Sequence, residues 1–141
     1  MTRKAGEKIK FKREILNAAK AIWEKKGSNL VVLDLRGISS FTDYFIICEG
    51  NSTRQAQAIS DAVLEEFKKD HIVPSHIEGY SQGKWILIDY IHFIVNIFLP
   101  QTRRFYDLER LWGDAAEIKI GEKSGGYTPK RESSDRKAPS V

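Results

Sequence analysis

The sequence predicts an α+β domain, a mixed β-sheet covered by helices mainly on one face. Three observations carry that prediction. Apolar residues recur at helical spacing in two separate stretches, Phe11 to Ile22 and Ala56 to Phe67. β-Branched and aromatic residues dominate the segments between and after them. The most apolar window, Lys84 to Leu99, is interrupted by strongly polar groups only at Lys84, Asp89, His92 and Asn96. That window is shorter than the roughly 20 residues a membrane span needs, and it reads as two strands with a turn near Tyr90 to His92.

Taken in order, the first element is a helix. Phe11, Ile15, Ala18, Ala19 and Ile22 form one stripe, Trp23 packs beside it, and Gly27 supplies a stop. Asn29 to Arg36 reads as a first strand and Gly37 to Thr42 as a turn. A second strand, Asp43 to Glu49, holds Tyr44, Phe45, Ile46 and Ile47 in succession, dense enough for burial on both faces. After Gly50-Asn51, the run Ser52-Thr53-Arg54-Gln55 has the form of a capping box. In it the Ser52 hydroxyl accepts from the Gln55 amide, and the Gln55 side chain reaches back to Ser52. The helix that begins there carries Ala56, Ile59, Val63, Leu64 and Phe67 on its apolar side until Pro74 bars continuation. His76 to Tyr80 is a short strand, and Ser81-Gln82-Gly83 is the turn into the hairpin. Pro100 closes the hairpin. Phe105, Leu108, Leu111 and Trp112 then mark a last helix, with Arg103, Arg104, Asp107, Glu109 and Arg110 turned to water. The organisation predicted is a basic N-terminal segment over 1–10, a folded domain over 11–116 and a disordered polar tail over 117–141.

The net charge of +4 conceals an uneven distribution. Residues 1–26 carry nine Lys/Arg against three Asp/Glu, residues 117–141 six against four, and residues 27–116 eight against twelve. The folded part is therefore acidic, which suits a basic protein partner. The basic first helix and tail leave RNA binding as an alternative. The single cysteine, Cys48, sits in an apolar run and indicates a reducing compartment. Met1 to Lys10 has no apolar leader, so a cytoplasmic protein is expected.

Chemistry finds few footholds. His71, His76 and His92 lack the i, i+4 spacing of a helical metal pair, and one cysteine makes no zinc cluster, so neither metal nor cofactor is expected. There is no Gly-x-Ser-x-Gly elbow. Gly50-Asn51-Ser52 opens a helix as phosphate-binding turns do, and with Asp89 it suggests a metal-dependent nucleotidyltransferase as an alternative. That reaction wants two carboxylates at alternate positions of a strand, and Trp85 to Tyr90 offers Asp89 alone, with Leu87 two positions before it. Surfaces remain. Alternation puts Trp85, Leu87 and Asp89 on one face of their strand and Ile86, Ile88 and Tyr90 on the other. A Trp beside an acid suits an anchor for a basic protein, or else Trp85 packs under the last helix and Asp89 starts the turn.

Several motifs together resemble the ribosomal silencing factor family, RsfS or Iojap. They are Asp34-Leu35-Arg36, Thr42-Asp43-Tyr44-Phe45-Ile46-Ile47, Gly50-Asn51-Ser52-Thr53-Arg54-Gln55, Glu78-Gly79, Gly83-Lys84-Trp85-Ile86-Leu87-Ile88-Asp89-Tyr90, and the run from Arg104 to Ala115. The resemblance covers Phe11 to Ala115. It implies a nucleotidyltransferase-like fold without the catalytic carboxylates, and a binding protein rather than an enzyme. The implied action is translational repression: docking on the large ribosomal subunit, through the ribosomal protein numbered fourteen in its series, and blocking the small subunit. Contact with ribosomal RNA would be secondary, and a homodimer is compatible with the unbound form. The positions carried over as the docking surface are His76, Glu78, Trp85, Leu87, Asp89 and Tyr90. One departure stands out: the family usually has a Gly-Asp-type turn after Asp89-Tyr90 and a His in the next strand, where this chain has Ile91, His92 and Asn96.

Overall fold

A computed structural model describes residues 5–120 and 127–129, with side chains over 13–118 and at Ile120. The elements are α1 (Ala5–Glu24), β1 (Ser28–Asp34), β2 (Tyr44–Glu49), α2 (Thr53–Lys68), β3 (His76–Glu78), β4 (Trp85–Asp89), β5 (Phe93–Phe98), α3 (Pro100–Tyr106), α4 (Leu108–Leu111), β6 (Ala116–Ile120) and β7 (Tyr127–Pro129). The strands form one sheet in the order β3-β4-β5-β2-β1-β6-β7. Only the central β2–β5 pair is parallel, with α2 and the β3–β4 strands in the crossover between them, so the sheet is mixed as predicted.

The dense apolar runs of β2 and β5 occupy the centre, where both faces must be covered. One face receives α1 and α2. Ile15, Ala18 and Ile22 of α1 and Ile59, Val63 and Phe67 of α2 bury against Ile46, Ile88, Val95 and Ile97. On the opposite face Leu33, Phe45, Ile47, Ile94 and Phe98 meet the shorter α3–α4 segment through Leu108 and Ala115. That cover is partial: Trp85, Leu87 and Trp112 remain only partly buried there. The uneven cover leaves the β3–β4 end of this face open.

Local chemistry departs from the prediction at five places. The Ser52 hydroxyl accepts from the Gln55 amide at 3.0 Å, but the Gln55 side chain reaches past Ser52 to accept from the Asn51 amide at 2.7 Å. Its Nε2 donates to the carbonyls of Lys25 and Lys26 at 3.0 and 3.1 Å, so Gln55 joins the start of α2 to the chain leaving α1. α1 begins at Ala5, inside the segment set apart as residues 1–10; Ala5, Glu7, Lys8 and Lys10 are good helix formers that outweigh Gly6. Pro100 does not merely end the hairpin; it occupies the first turn of α3, where its fixed φ and missing N–H cost nothing. The last helix breaks at Asp107, whose φ of 47° splits it into α3 and α4; Leu108 and Trp112 still pack inward and Arg104 and Arg110 face water as expected, but three residues change sides. Arg103 is buried, while Phe105 and Leu111 are 78% and 71% exposed. Finally, the boundary at Glu117 falls inside β6, which pairs with β1 through Ala116, Glu117 and Ile118. Ile118 is buried and Ile120 packs beside it, a two-residue alternation that the surrounding charge masks in the sequence. The disorder expected over 121–126 and 130–141 lies outside the described residues.

Candidate functional site

The open end of the sheet is built by β3 and β4, paired His76 to Asp89 and Glu78 to Leu87. Residues directly opposite in an antiparallel pair point to the same side. His76, Glu78, Leu87 and Asp89 therefore share a face, and Trp85 joins them by alternation along β4. His76 Nε2 and Glu78 Oε2 lie 2.5 Å apart, both exposed. Asp89 is half-buried, and its Oδ1 accepts from the Ile91 amide at 2.7 Å.

Trp85 is held rather than loose. Its Nε1 donates to Asn96 Oδ1 at 3.0 Å, its ring stacks on Phe98 at 4.8 Å, and Tyr106 of α3 leans on it at 4.8 Å. Asn96 is wholly buried and makes a weaker 3.4 Å bond to the Ile94 carbonyl. A buried amide that receives an indole N–H fixes the ring orientation. Both the packing role of Trp85 and the turn-starting role of Asp89 are thus present, and both side chains still reach the surface.

Tyr90 does not belong to this face. It is 6% exposed on the helix side, 4.9 Å from Phe67 and 5.0 Å from Phe93. Burial pushes its phenol up to about 12. Two residues that complete the exposed face, Tyr106 and Phe105, carry little signal in sequence. They form an aromatic pair at the end of a short helix, and only the break at Asp107 turns them outward.

A profile described as "Ribosomal silencing factor during starvation" matches residues 8–140. The chain belongs to the ribosomal silencing factor family. It is 39% identical over 103 residues to the ribosomal silencing factor RsfS of Halalkalibacterium halodurans, covering 73% of this chain and 88% of that one. A crystal structure of a protein from Bacillus halodurans superposes with a TM-score of 0.69 at 34% identity, covering 77% of this chain and 98% of that one. A more distant relative is the mouse "Mitochondrial assembly of ribosomal large subunit protein 1", 30% identical over 63% of this chain and 40% of its own length.

In this RsfS-family chain the parts of the nucleotidyltransferase alternative are not brought together. Gly83 abuts Thr53, which puts the start of β4 beside the N-terminus of α2. Asp89 lies at the far end of β4, about 13 Å further along at roughly 3.3 Å per residue. The turn at Gly50-Asn51-Ser52 is engaged by its own cap. Cys48 is fully buried, and desolvation pushes its thiol up to about 12, the opposite of an activated nucleophile. No group of three or more His, Cys, Asp or Glu stands together to hold a metal among the described residues, and no described helix is long and apolar enough to cross a membrane.

Proposed function

We propose that this chain is a translational repressor. It binds the large ribosomal subunit through a basic ribosomal protein, the one numbered fourteen in that subunit's series, and its bulk then blocks joining of the small subunit. The reading rests on the open β3–β4 face, where Trp85, Leu87 and Tyr106 form an apolar centre and Glu78 and Asp89 an acidic edge. Interfaces favour such aromatic anchors, and an acidic edge speeds encounter with a basic surface. The names of the relatives support it: a ribosomal silencing factor, and a protein of large-subunit assembly. Of the six residues expected on the docking surface, His76, Glu78, Trp85, Leu87 and Asp89 take part by contact. Tyr90 supports β4 from beneath. The mechanism is steric and needs no cofactor.

Purified large and small subunits, mixed with excess protein and followed by sedimentation, test this directly. Subunit joining is expected to fall, and undiminished joining sinks the proposal. Trp85→Ala should weaken binding to large subunits by about 2 kcal/mol or more. Glu78→Lys, at an exposed position, should slow association without lowering the melting temperature.

A further inference from the structure

Positive charge gathers at the end of the sheet where β2 and β5 finish and β4 begins, with Glu49, Phe98 and Trp85 in register there. The helices meet at the same end. The Gly50 amide donates to the Phe98 carbonyl at 2.9 Å, which holds the turn into α2 against the exit of β5. Gln55 Nε2 donates to the carbonyls of Lys25 and Lys26 at 3.0 and 3.1 Å, so the exit of α1 sits against the start of α2. Gly83 abuts Thr53 of that first turn, and the Lys84 carbonyl accepts from the Leu99 amide at 3.0 Å. Lys25, Lys26, Arg54 and Lys84 therefore converge here from three separate parts of the chain, and all four are exposed.

The fold does not match these charges. Among the described residues no side-chain hydrogen bond or ion pair engages any of the four. Of the described acids at this end, Glu49 and Glu109 turn inward onto Arg103, at 14% and 22% exposure, which leaves Glu24 against four cations. Exposed Asn51 and Thr53 stand among them. The N-terminus of α2 is not itself the attraction, because the Asn51 amide is taken by the Gln55 side chain and the Gln55 amide by the Ser52 hydroxyl.

Chemistry and position select the partner. Like charges held together without counter-charge repel, and a bound polyanion offsets that cost. Lysine and arginine interspersed with threonine and asparagine make the contacts that a phosphate backbone receives. Lys84 immediately precedes Trp85, so this basic end borders the proposed docking face, while the acidic Asp89 lies about 13 Å off at the other end of β4. A ribosomal subunit sets its basic proteins in RNA, and a chain that covers one of them with an acidic face meets phosphates at the margin. We infer that Lys25, Lys26, Arg54 and Lys84 hold ribosomal RNA beside the docked protein, so that the chain bridges a junction of protein and RNA. The inference rests on the docking reading above.

Binding of the full-length protein to bacterial large ribosomal subunits at several salt concentrations, with hydroxyl-radical cleavage of the ribosomal RNA in the saturated complex, tests it. The quadruple variant Lys25→Gln, Lys26→Gln, Arg54→Gln, Lys84→Gln keeps polar side chains and removes the charge. It is expected to bind at least about tenfold more weakly, and its slope of log affinity against log salt should be shallower by about 3, from roughly 0.7 per lost phosphate contact. RNA positions shielded by the parent should become cleavable, at an unchanged melting temperature. Arg54→Gln with Lys84→Gln should give about half the change in slope, and decides the matter should the quadruple variant melt early. If affinity falls while the RNA stays shielded, the cations meet an acidic protein and the RNA contact is wrong. If the quadruple variant binds like the parent while Trp85→Ala binds weakly, the basic end touches nothing and the docking face stands. If Trp85→Ala binds like the parent, the docking face itself is wrong and the bridge falls with it.

Discussion

Ile91 is held at φ 74°, a region that a β-branched side chain rarely enters. The His92 amide donates to the Tyr90 carbonyl at 2.9 Å and closes a γ-turn around it, the strained kind with positive φ at its centre. Bonds from the Ile91 amide to Asp89 and from Thr42 to the Ile91 carbonyl over-determine that geometry. Glycine occupies such a conformation without a Cβ clash. Ile91→Gly should therefore stabilise the fold by about 1 kcal/mol, the relief of left-handed strain less the larger backbone entropy of unfolded glycine. Denaturant unfolding measures this, and a loss of stability would show that the half-exposed Ile91 side chain packs more than its exposure suggests.

At the scale of elements, α3 and α4 are fastened by one side chain. Arg103 donates to the Asn29 carbonyl at 2.7 Å, to Glu49 at 3.2 Å and to Glu109 at 2.6 and 3.2 Å, so it ties both helices to one end of the β1–β2 pair. Arg103→Ala leaves two largely buried carboxylates uncompensated and should cost about 3 kcal/mol or more. Chemical denaturation checks it; a loss below about 1 kcal/mol would mean that water reaches Glu49 and Glu109. This network also marks the limit of what the chain declares locally. Helical stripes, the α2 cap and the alternation that separates Trp85 from Ile86 depend on neighbours a few residues apart, and they are legible. Arg103 reads as a solvent-facing charge because its partner Glu49 is 54 residues away. The bond from Thr42 to the Ile91 carbonyl is hidden for the same reason, since the two residues are 49 apart. Tyr90 follows the alternation correctly to the buried face, so its place on the docking surface comes from family resemblance and not from the strand pattern.

The whole molecule is a sheet with one thickly and one thinly covered side, and the two sides divide the work. Trp85 and Leu87, part of the proposed docking face, lie on the thin side, while Cys48 and Tyr90 are sealed under α1 and α2 on the other. Burial raises the thiol from 9.0 and the phenol from 10.0, each to about 12, because both must stay neutral in an apolar interior. In the unfolded chain they ionise at their ordinary values. As pH rises, the unfolded state therefore loses these protons before the folded state does, and the folded state is penalised. The stability they contribute is fully present below about pH 9 and declines through about pH 12, with a slope of about 1.4 kcal/mol per pH unit for each group. Urea unfolding at pH 8 and pH 10.5 should show a fall of about 3 kcal/mol, of which about 2 kcal/mol comes from Cys48, whose ordinary value is the lower. Cys48→Ala separates the two groups: stability should then hold nearly level from pH 8 to pH 10, and only the phenol's share should decline beyond it. An equal decline in the parent and in Cys48→Ala would mean that the thiol already meets solvent in the folded protein, and that α1 and α2 do not seal this side of the sheet.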